Sequence, residues 1–410
     1  MKKIIIGLLV GLAILVLIQD FIAKKQRNTT AKTGPYVVML SLDGFRWDYT
    51  NKTSTPNFDY IAKQGVKATG LQPCFPSKTF PNHYSIATGL YPGNHGLISN
   101  SFYASDLKKY YSIRDRDKVE NGKFYKGEPI WVTAEAQRIK TASYFWVGSE
   151  AKIKGYRPSY YKLYDHNFPY GQRIDSVINW LSLPFKERPR LITWYLDKAD
   201  GVGHDLGPDS DEMINTIGML DSLIGVFMNK VNQLSIKDSL NFIIVSDHGM
   251  SKIDSNKIIY IKEFIQDHWV DTLIGANPFS LVYSTKEYTD SVYKNLNNVN
   301  GISVWKKDDL PERFHLKQNT RCSEIVVVAD SGWTTALSTN KSYLGGTHGY
   351  DNMNKDMYGI FYGIGPLFKN NYNAKTLYNT DIYSLIIHML GIKPAPNDGK
   401  PERIMHVLKD

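Results

Sequence analysis

The sequence predicts an α/β fold with a largely parallel central sheet and helices on both of its faces. One observation is a series of short apolar, β-branched runs typical of buried strands, at 36–42, 190–196, 241–246, 324–329 and 358–363. A second is helical periodicity in the intervening segments, at 56–64, 82–89, 130–139, 172–182, 212–233 and 379–390. Strands that alternate with helices favour a parallel sheet that is covered on both faces.

Length and composition are those of a globular chain with a large core. The chain has 410 residues, of which 42% are hydrophobic and 22% are charged. Its net charge is +9, but the lysines are spread along the chain without a dense run, so we expect no specific nucleic-acid partner. Only Cys74 and Cys322 are present, which excludes a thiolate metal site and a disulfide scaffold. Whether these two cysteines pair is left open, and so is the oligomeric state.

The N-terminal segment has the layout of an export signal. Lys2 and Lys3 precede an apolar run from Ile4 to Ile18, and residues 4–23 as a helix would span about 30 Å. No good small-residue cleavage site follows, so an uncleaved signal anchor at 1–23 is favoured over a signal peptide. We therefore expect an exported protein on the periplasmic or extracellular face, held at the membrane by this helix.

The remaining chain divides into a polar linker at 24–35 and a catalytic domain at 36–410. Residues 255–345 contain several short, less regular apolar runs. They are interpreted as a small insertion or cap within that domain.

Two chemically similar motifs each follow a predicted strand. Asp43 stands in Ser-Leu-Asp-Gly after the first strand, and Asp247 and His248 stand in Ser-Asp-His-Gly after the strand at 241–246. The carboxyl ends of parallel strands are where α/β proteins place their ligand sites. These three side chains are therefore expected at one edge of the sheet.

Further metal-ligating side chains lie downstream. Asp200 and His204 are four residues apart, so one helical turn or a tight loop would bring both to one ion. His348 follows the flexible turn Gly345-Gly346-Thr347. Asp and His ligands without Cys suit Zn²⁺, with Mn²⁺ or Co²⁺ as substitutes. Two such ions about 4 Å apart clamp the attacking and leaving oxygens of a phosphoryl transfer.

Thr79 is a candidate nucleophile just before a predicted helix. A metal ion can lower the pKa of a hydroxyl so that it attacks as an alkoxide. A helix N-terminus beside it would also stabilise phosphate charge. The alternative for this segment alone is a plain helix cap, a position where threonine is common.

Taken in order along the chain, these segments resemble the nucleotide pyrophosphatase/phosphodiesterase family of the alkaline phosphatase superfamily. The resemblance covers nearly all of residues 36–410, and its motifs are SLDGFR (41–46), KTFPNHYSIATGLYPGNHGL (78–97), DGVGHDLGP (200–208), SDHGM (246–250) and GTHGYDN (346–352). It implies an alkaline-phosphatase-like fold and a phospho-threonine intermediate on Thr79. It also implies two zinc ions, one held by Asp200, His204 and His348, the other by Asp43, Asp247, His248 and Thr79.

The resemblance also implies substrate contacts. Asn100 matches an asparagine that donates a hydrogen bond to a phosphate oxygen. Phe80 and Tyr164 match the aromatic pair that sandwiches a nucleobase. The alternatives are a turn asparagine and two core aromatic residues. Val147, in FWVGSE, stands where the family usually has proline, which weakens the inference about the pocket.

The predicted activity is therefore cleavage of phosphodiester or pyrophosphate bonds of nucleotides, with release of nucleoside 5′-monophosphates. One rival is a phosphomonoesterase on the same scaffold, in which Lys162 or Arg157 would help to hold a dianionic phosphate. A second is a lipid or choline phosphodiesterase, and a third is a metal-free exported binding module. His83 and His95 are expected to support the site rather than to ligate metal.

Overall fold

The computed structural model describes residues 34–337 and 343–410. The signal anchor predicted at 1–23 and most of the linker lie outside these residues. Within the described part, no helix is long and apolar enough to cross a bilayer.

The central sheet has eight strands. In chain order they are β1 Tyr36–Leu42, β2 Val66–Ala68, β3 Thr141–Tyr144, β4 Tyr160–Lys162, β5 Leu191–Leu196, β6 Leu240–Val245, β7 Phe361–Ile364 and β8 Tyr372–Ala374. Their spatial order is β8-β2-β7-β6-β1-β5-β3-β4. β7 runs antiparallel to β2 and β6, and all other neighbours are parallel. The predicted largely parallel α/β sheet is confirmed.

β1 shows why this sheet must be covered on both faces. All seven of its residues are buried. Val37 and Met39 belong to one hydrophobic core, whereas Val38 and Leu40 belong to a second. Successive side chains of a strand point to opposite faces, so a strand with buried apolar side chains on both faces needs two covering layers.

Helices supply those two layers. In chain order they are α1 Pro56–Gln64, α2 Thr79–Thr88, α3 Ile130–Ala136, α4 Tyr170–Ser182, α5 Lys198–Leu206, α6 Asp211–Val231, α7 Thr289–Leu296 and α8 Asp381–Leu390, with four-residue helices at Pro92–His95 and Arg116–Val119. Residues of α2, α3 and α8 join the first core, and residues of α1, α4 and α6 join the second. α6 begins where the Ser210 hydroxyl accepts the N–H of Met213, an N-cap that fixes its start.

Two helix positions bear on the site. α2 begins at Thr79, three residues before the predicted start, so the threonine is its first residue. The segment from Asp200 to His204 lies in α5, which resolves the choice between a helical turn and a loop.

A second, four-stranded antiparallel sheet lies within the segment interpreted as a cap. Its strands are Val270–Ile274, Phe279–Ser284, Ile325–Ala329 and Ile302–Lys306, in that spatial order. The strand predicted at 324–329 belongs to this sheet and not to the central one, because it pairs antiparallel with the strands Phe279–Ser284 and Ile302–Lys306. Apolar character predicts burial of a strand but does not identify its neighbours. The cap boundaries stay a prediction.

Four short strand pairs complete the structure. They are Leu71–Gln72 with Leu377–Tyr378, Ser101–Ala104 with Lys109–Ser112, Ser251–Lys252 with Gly346–Thr347, and Ile258–Tyr260 with Thr334–Ala336. The pair at Gly346–Thr347 matters for the site because His348 follows it directly.

Candidate active site

The first of two carboxylate–imidazole clusters combines α5 with the turn after Gly346–Thr347. Asp200 and His204 lie one helical turn apart on α5, with His204 Nε2 3.5 Å from Asp200 Oδ1. His348 Nε2 lies 3.6 Å from the same oxygen. Ligand atoms of these three residues lie within 4.8 Å of one another. This spacing suits three ligands of one metal ion.

The second cluster converges on Nε2 of His248, at the carboxyl ends of β1 and β6. Asp247 Oδ2 lies 3.0 Å from this nitrogen, and Asp43 Oδ1 lies 3.4 Å from it. The Thr79 hydroxyl oxygen lies 3.2 Å from it. All four side chains are buried. The structure thus brings together the four residues predicted to share the second ion.

The two clusters adjoin. The imidazole rings of His248 and His348 are stacked, with centroids 3.5 Å apart and planes inclined by 12°. Ligand atoms of Asp43, Asp200 and His248 also lie within 4.8 Å of one another. Two neighbouring ions would therefore fit side by side, with Thr79 at their junction.

The backbone orients each imidazole. Nδ1 lies 3.0 Å from the Gly346 carbonyl oxygen in His204, 2.9 Å from that of Gly249 in His248, and 2.8 Å from that of Ser77 in His348. A carbonyl only accepts, so each Nδ1 carries the proton and donates it. In the neutral ring the lone pair of Nε2 then faces the cluster, which is the arrangement that metal-ligating histidines use.

The hydrogen bonding of the carboxylates indicates whether this site can hold cations. Oδ1 of Asp43 and Oδ1 of Asp200 are buried without a hydrogen-bond donor among the described residues, and the buried Oδ2 of Asp247 has beside it only His83 Nδ1, which already donates to the Thr79 carbonyl. Buried anionic oxygens without partners are costly, and a coordinated cation would supply the missing partner. Carboxylate and imidazole donors together suit Zn²⁺ and similar divalent ions. The residues present fit a pair of such ions.

The pKa values of the carboxyl and imidazole groups in the site are shifted because these groups are buried close together. Burial, together with the carboxylates of Asp247 and Asp200, raises the pKa of Asp43 well above its ordinary value. Burial also opposes ionisation of Asp247, but His248 and His83 outweigh it and hold its pKa well below the usual range. Burial and neighbouring positive groups lower the pKa of His348. Without a metal ion the cluster therefore retains protons that metal binding would displace.

A cleft with a volume of about 190 Å³ opens beside Thr79. Its apolar walls come from Phe80, Ile113, Phe145, Trp146, Val147 and Tyr164. Phe80 and Tyr164 thus share one cleft, as the proposed base sandwich requires. Tyr164 is 37% exposed and lies at its rim.

Asn100 lies beside this cleft. Its Oδ1 accepts the Phe80 N–H at 2.9 Å. This bond assigns the side-chain oxygen and leaves the amide NH₂ as the group that is available to an acceptor.

Charge in the cleft differs from the sequence-based expectation. Arg116 is the one cation among the described residues that line it, and its guanidinium pairs with Glu150 and Glu120. Lys162 and Arg157, the cations named for a phosphomonoesterase, are exposed and lie outside the lining. Arg157 instead donates to the Glu150 carbonyl at 2.9 Å.

His83 supports the site from inside α2. Its Nδ1 donates to the Thr79 carbonyl at 3.0 Å and lies 3.2 Å from Asp247 Oδ2. Its Nε2 accepts from the Ser41 hydroxyl at 2.9 Å. Because Nδ1 is protonated, His83 holds the first turn of α2 against Asp247, and no lone pair on Nδ1 is free for metal.

Two further residues of the site, Tyr195 and Lys78, were not assigned a role from the sequence, although Lys78 opens the motif at 78–97. The Tyr195 hydroxyl donates to Asp43 Oδ2 at 2.6 Å and fixes that carboxylate. Tyr195 is one of 27 tyrosines, and only its strand register opposite Ser41 in β1 places it here. Lys78 precedes Thr79 and donates from Nζ to the Asn277 carbonyl at 2.8 Å. Burial lowers its pKa to about 8.

A sequence model of type I phosphodiesterases/nucleotide pyrophosphatases matches residues 37–351, well over half of the chain. The chain belongs to this family. The predicted resemblance is therefore confirmed.

Type I phosphodiesterase relatives include larger proteins. Human ectonucleotide pyrophosphatase/phosphodiesterase family member 1 is 36% identical over 92% of this chain, which spans only 42% of that protein. Venom phosphodiesterase of Macrovipera lebetinus is 35% identical over 91% of this chain and 45% of its own length. Human family member 5 is 34% identical over 96% of this chain and 82% of its own length. The chain thus spans less than half of several relatives.

Solved structures of this phosphodiesterase family share the fold. The structure of mouse family member 5, an inactive threonine-to-alanine variant in complex with AMP, superposes with a TM-score of 0.88 at 33% identity. The matched region comprises 92% of this chain and the whole of the mouse chain. Human family member 5 gives the same TM-score. The predicted alkaline-phosphatase-like α/β fold is confirmed.

Proposed function

We propose that this chain is a two-metal hydrolase that cleaves phosphodiester or pyrophosphate bonds of nucleotides and releases nucleoside 5′-monophosphates. The observation that carries the proposal is the position of Thr79. Its hydroxyl lies 3.2 Å from His248 Nε2, at the junction of the two clusters and at the floor of the cleft that holds Phe80 and Tyr164.

One divalent ion would be held by Asp200, His204 and His348, and a second by Asp43, Asp247, His248 and Thr79. The carboxylate and imidazole ligands favour zinc. Such ions, when bound, lower the pKa of a ligated hydroxyl and neutralise phosphate charge.

The chain's own groups then account for the reaction. Thr79 oxygen forms a bond to phosphorus as the bond to the leaving oxygen breaks, which gives a phospho-threonine ester that water cleaves in a second displacement. As first residue of the ten-residue helix α2, Thr79 holds the phosphate at a helix N-terminus. Asn100 donates its free amide hydrogens to a phosphate oxygen, and His83 keeps the turn in place.

The cleft supports a nucleotide as the substrate. Its volume of about 190 Å³ and its aromatic walls suit one planar base stacked between Phe80 and Tyr164. The mouse relative that was solved as an inactive threonine-to-alanine variant holds AMP, which supports both the base site and the role of Thr79.

Substitution of the nucleophile tests the proposal. Thr79→Ala should lower hydrolysis of thymidine 5′-monophosphate p-nitrophenyl ester by roughly 10³-fold or more, while Thr79→Ser should keep part of the activity. Metal content by elemental analysis should stay close to two ions per chain in both variants. A Thr79→Ala protein that keeps most of its activity would exclude the proposed mechanism.

The phosphomonoesterase rival is disfavoured by charge. Asp43, Asp200 and Glu150 line the cleft, whereas its one cation, Arg116, is already paired. A monoester dianion would need additional cations, and Lys162 and Arg157 lie outside. We expect the nitrophenyl nucleotide diester to be hydrolysed much faster than p-nitrophenyl phosphate, with the ratio unchanged in Lys162→Ala. A preference for the monoester would instead support the phosphatase.

We also propose where in the cell the enzyme is located. The relatives carry names of ectoenzymes. Together with the apolar segment at 1–23, this supports an exported enzyme that is anchored by its N-terminus.

A further inference from the structure

The edge of the sheet opposite the cleft has an unusual distribution of charge. β1, β3, β5 and β6 all begin at this edge, since Val37 pairs with Leu191, Thr141 pairs with Leu191, and Tyr36 pairs with Leu240. We call this surface the basal face and define it by the segments that lead into β3, β5 and β6, which are 138–140, 184–190 and 237–239, and by 365–369, which follows the antiparallel strand β7.

Cations outnumber carboxylates on the basal face. Its segments contain seven lysines and arginines but only two carboxylates, Glu187 and Asp238. Glu135 also reaches this edge, where it accepts hydrogen bonds from Thr141 and Ser159. Lys409 and Asp410 lie beside it and offset each other. The excess positive charge is therefore local and not merely a share of the overall +9.

These cations have no carboxylate partner among the described residues, although Arg188 and Arg190 donate to backbone carbonyls. Lys140, Lys186 and Lys237 are exposed, and no cation of the basal face forms an ion pair with a described residue. Elsewhere the arginines at 46, 116, 173, 313, 321 and 403 each contact a carboxylate. Unpaired cations at one end of a molecule form a surface that attracts anions.

Exposed aromatic rings accompany the charge. Phe185 is 54% exposed and stands next to Lys186, and Tyr60 is 54% exposed beside a shallow groove that Lys237 also lines. Aromatic rings with flanking cations are typical of surfaces that rest on the headgroup region of a bilayer.

We propose that the basal face docks on an anionic lipid bilayer. The described chain enters at this same face, where Arg190 packs on Gly34 and donates to the Pro35 carbonyl at 3.3 Å, so residues 1–33 precede it here. Docking would direct the cleft, at the carboxyl ends of the strands, away from the bilayer and toward dissolved substrates. This orientation is independent of the chemistry in the cleft.

Vesicle binding of residues 34–410 tests the proposal. The solved mouse relative corresponds over its whole length to 92% of this chain, so this region folds without further segments in that relative. We expect the protein to co-sediment with phosphatidylcholine vesicles that contain phosphatidylglycerol and not with phosphatidylcholine alone. Binding should disappear at an ionic strength of ~1 M, where the Debye length is about 3 Å.

Matched charge reversals locate the surface. Lys140→Glu/Lys186→Glu/Lys237→Glu should lower partition onto anionic vesicles at least tenfold. The control Lys123→Glu/Lys152→Glu/Lys162→Glu makes the same change of net charge at exposed lysines outside the basal face that form no ion pair with a described residue, and should keep most of the binding. If the basal triple variant does not fold, Lys186→Glu alone and Phe185→Ser should each weaken partition severalfold at an unchanged rate of hydrolysis.

Four results would overturn the proposal. They are equal losses in the two triple variants, absence of binding to anionic vesicles, equal binding to neutral vesicles, and binding to the anionic polymer heparin without binding to vesicles.

Discussion

The imidazole rings of His248 and His348 stack face to face, with centroids 3.5 Å apart. Each ring belongs to a different carboxylate–imidazole cluster, and each donates Nδ1–H to a backbone carbonyl. Two rings this close would repel if both were protonated, so at most one of them carries a charge, and two neutral rings would direct their Nε2 lone pairs toward cations held in the clusters. This contact is what joins the two clusters into one site around Thr79.

Asp43→Asn should affect the stability of the metal-free protein and that of the metal-loaded protein differently. Asp43 is buried beside Asp247 and Asp200, which raises its pKa, while an asparagine oxygen would still accept the Tyr195 hydroxyl. In chelator we expect the variant to be more stable than wild type by roughly 1–3 kcal/mol, because it avoids the cost of either ionising or protonating this buried carboxyl group. Added zinc should stabilise wild type far more than the variant.

Thermal or denaturant unfolding with and without zinc checks this prediction. Asp330→Asn, at an exposed position, is the matched control and should change neither value. A chelated Asp43→Asn protein that is less stable than wild type would show that the carboxylates are not in mutual repulsion.

Removal of the aromatic walls should affect nucleotides selectively. Phe80→Ala and Tyr164→Ala should each raise KM for the nitrophenyl nucleotide diester by about tenfold, since base stacking contributes ~1–3 kcal/mol per ring. Hydrolysis of methyl p-nitrophenyl phosphate, which lacks a base, should change little. Tyr161→Ala is the control, because Tyr161 is as exposed as Tyr164 but does not line the cleft. Equal effects on both substrates would argue against a base site.

Stability should depend on pH through His95. This buried histidine donates from Nε2 to the Pro81 carbonyl at 3.1 Å and accepts the Leu97 N–H at Nδ1, so a second ring proton has no acceptor. Burial lowers its pKa to about 3, against an ordinary value near 6.5. Below pH ~6.5 the unfolded chain binds a proton that the folded chain excludes, so the stability from this group falls as pH falls toward 3, by up to ~1.4 kcal/mol per pH unit.

Urea unfolding between about pH 5 and 7 measures this dependence. His95→Gln keeps a donor for the Pro81 carbonyl and removes the titration, so its stability should change less with pH than that of wild type. His388→Gln, at an exposed position, should follow the wild-type curve. Parallel curves for wild type and His95→Gln would contradict the lowered pKa of this buried histidine.

The parts of the fold that depend on local pattern followed from the sequence. β1 and β6 are apolar except for Ser41 and Asn241 and are buried throughout, and Asp43 and Asp247 lie where their strands end. Strand partnership did not follow, because the run at 325–329 looks like a central strand and pairs in the second sheet. Local apolarity measures burial, whereas pairing depends on contacts distant in sequence.

The candidate site likewise contains residues that the sequence indicated and residues that it did not. The seven residues predicted to bind metal were marked by residue type and by adjacent glycine turns, and the structure brings their side chains close together. Tyr195 and Arg116 were not marked, since a strand tyrosine and a surface-type arginine have no distinguishing pattern. Lys162 and Arg157 are near Tyr164 in sequence but point to the surface, which sequence proximity does not reveal.

The stereochemical course at phosphorus tests the central claim most directly. A p-nitrophenyl ester of thymidine 5′-phosphorothioate with one configuration at phosphorus would be hydrolysed in ¹⁸O-water and the configuration of the product determined. Each in-line displacement inverts phosphorus, so attack by Thr79 followed by water predicts net retention. Net inversion would show that water attacks phosphorus directly and would contradict a covalent intermediate on Thr79.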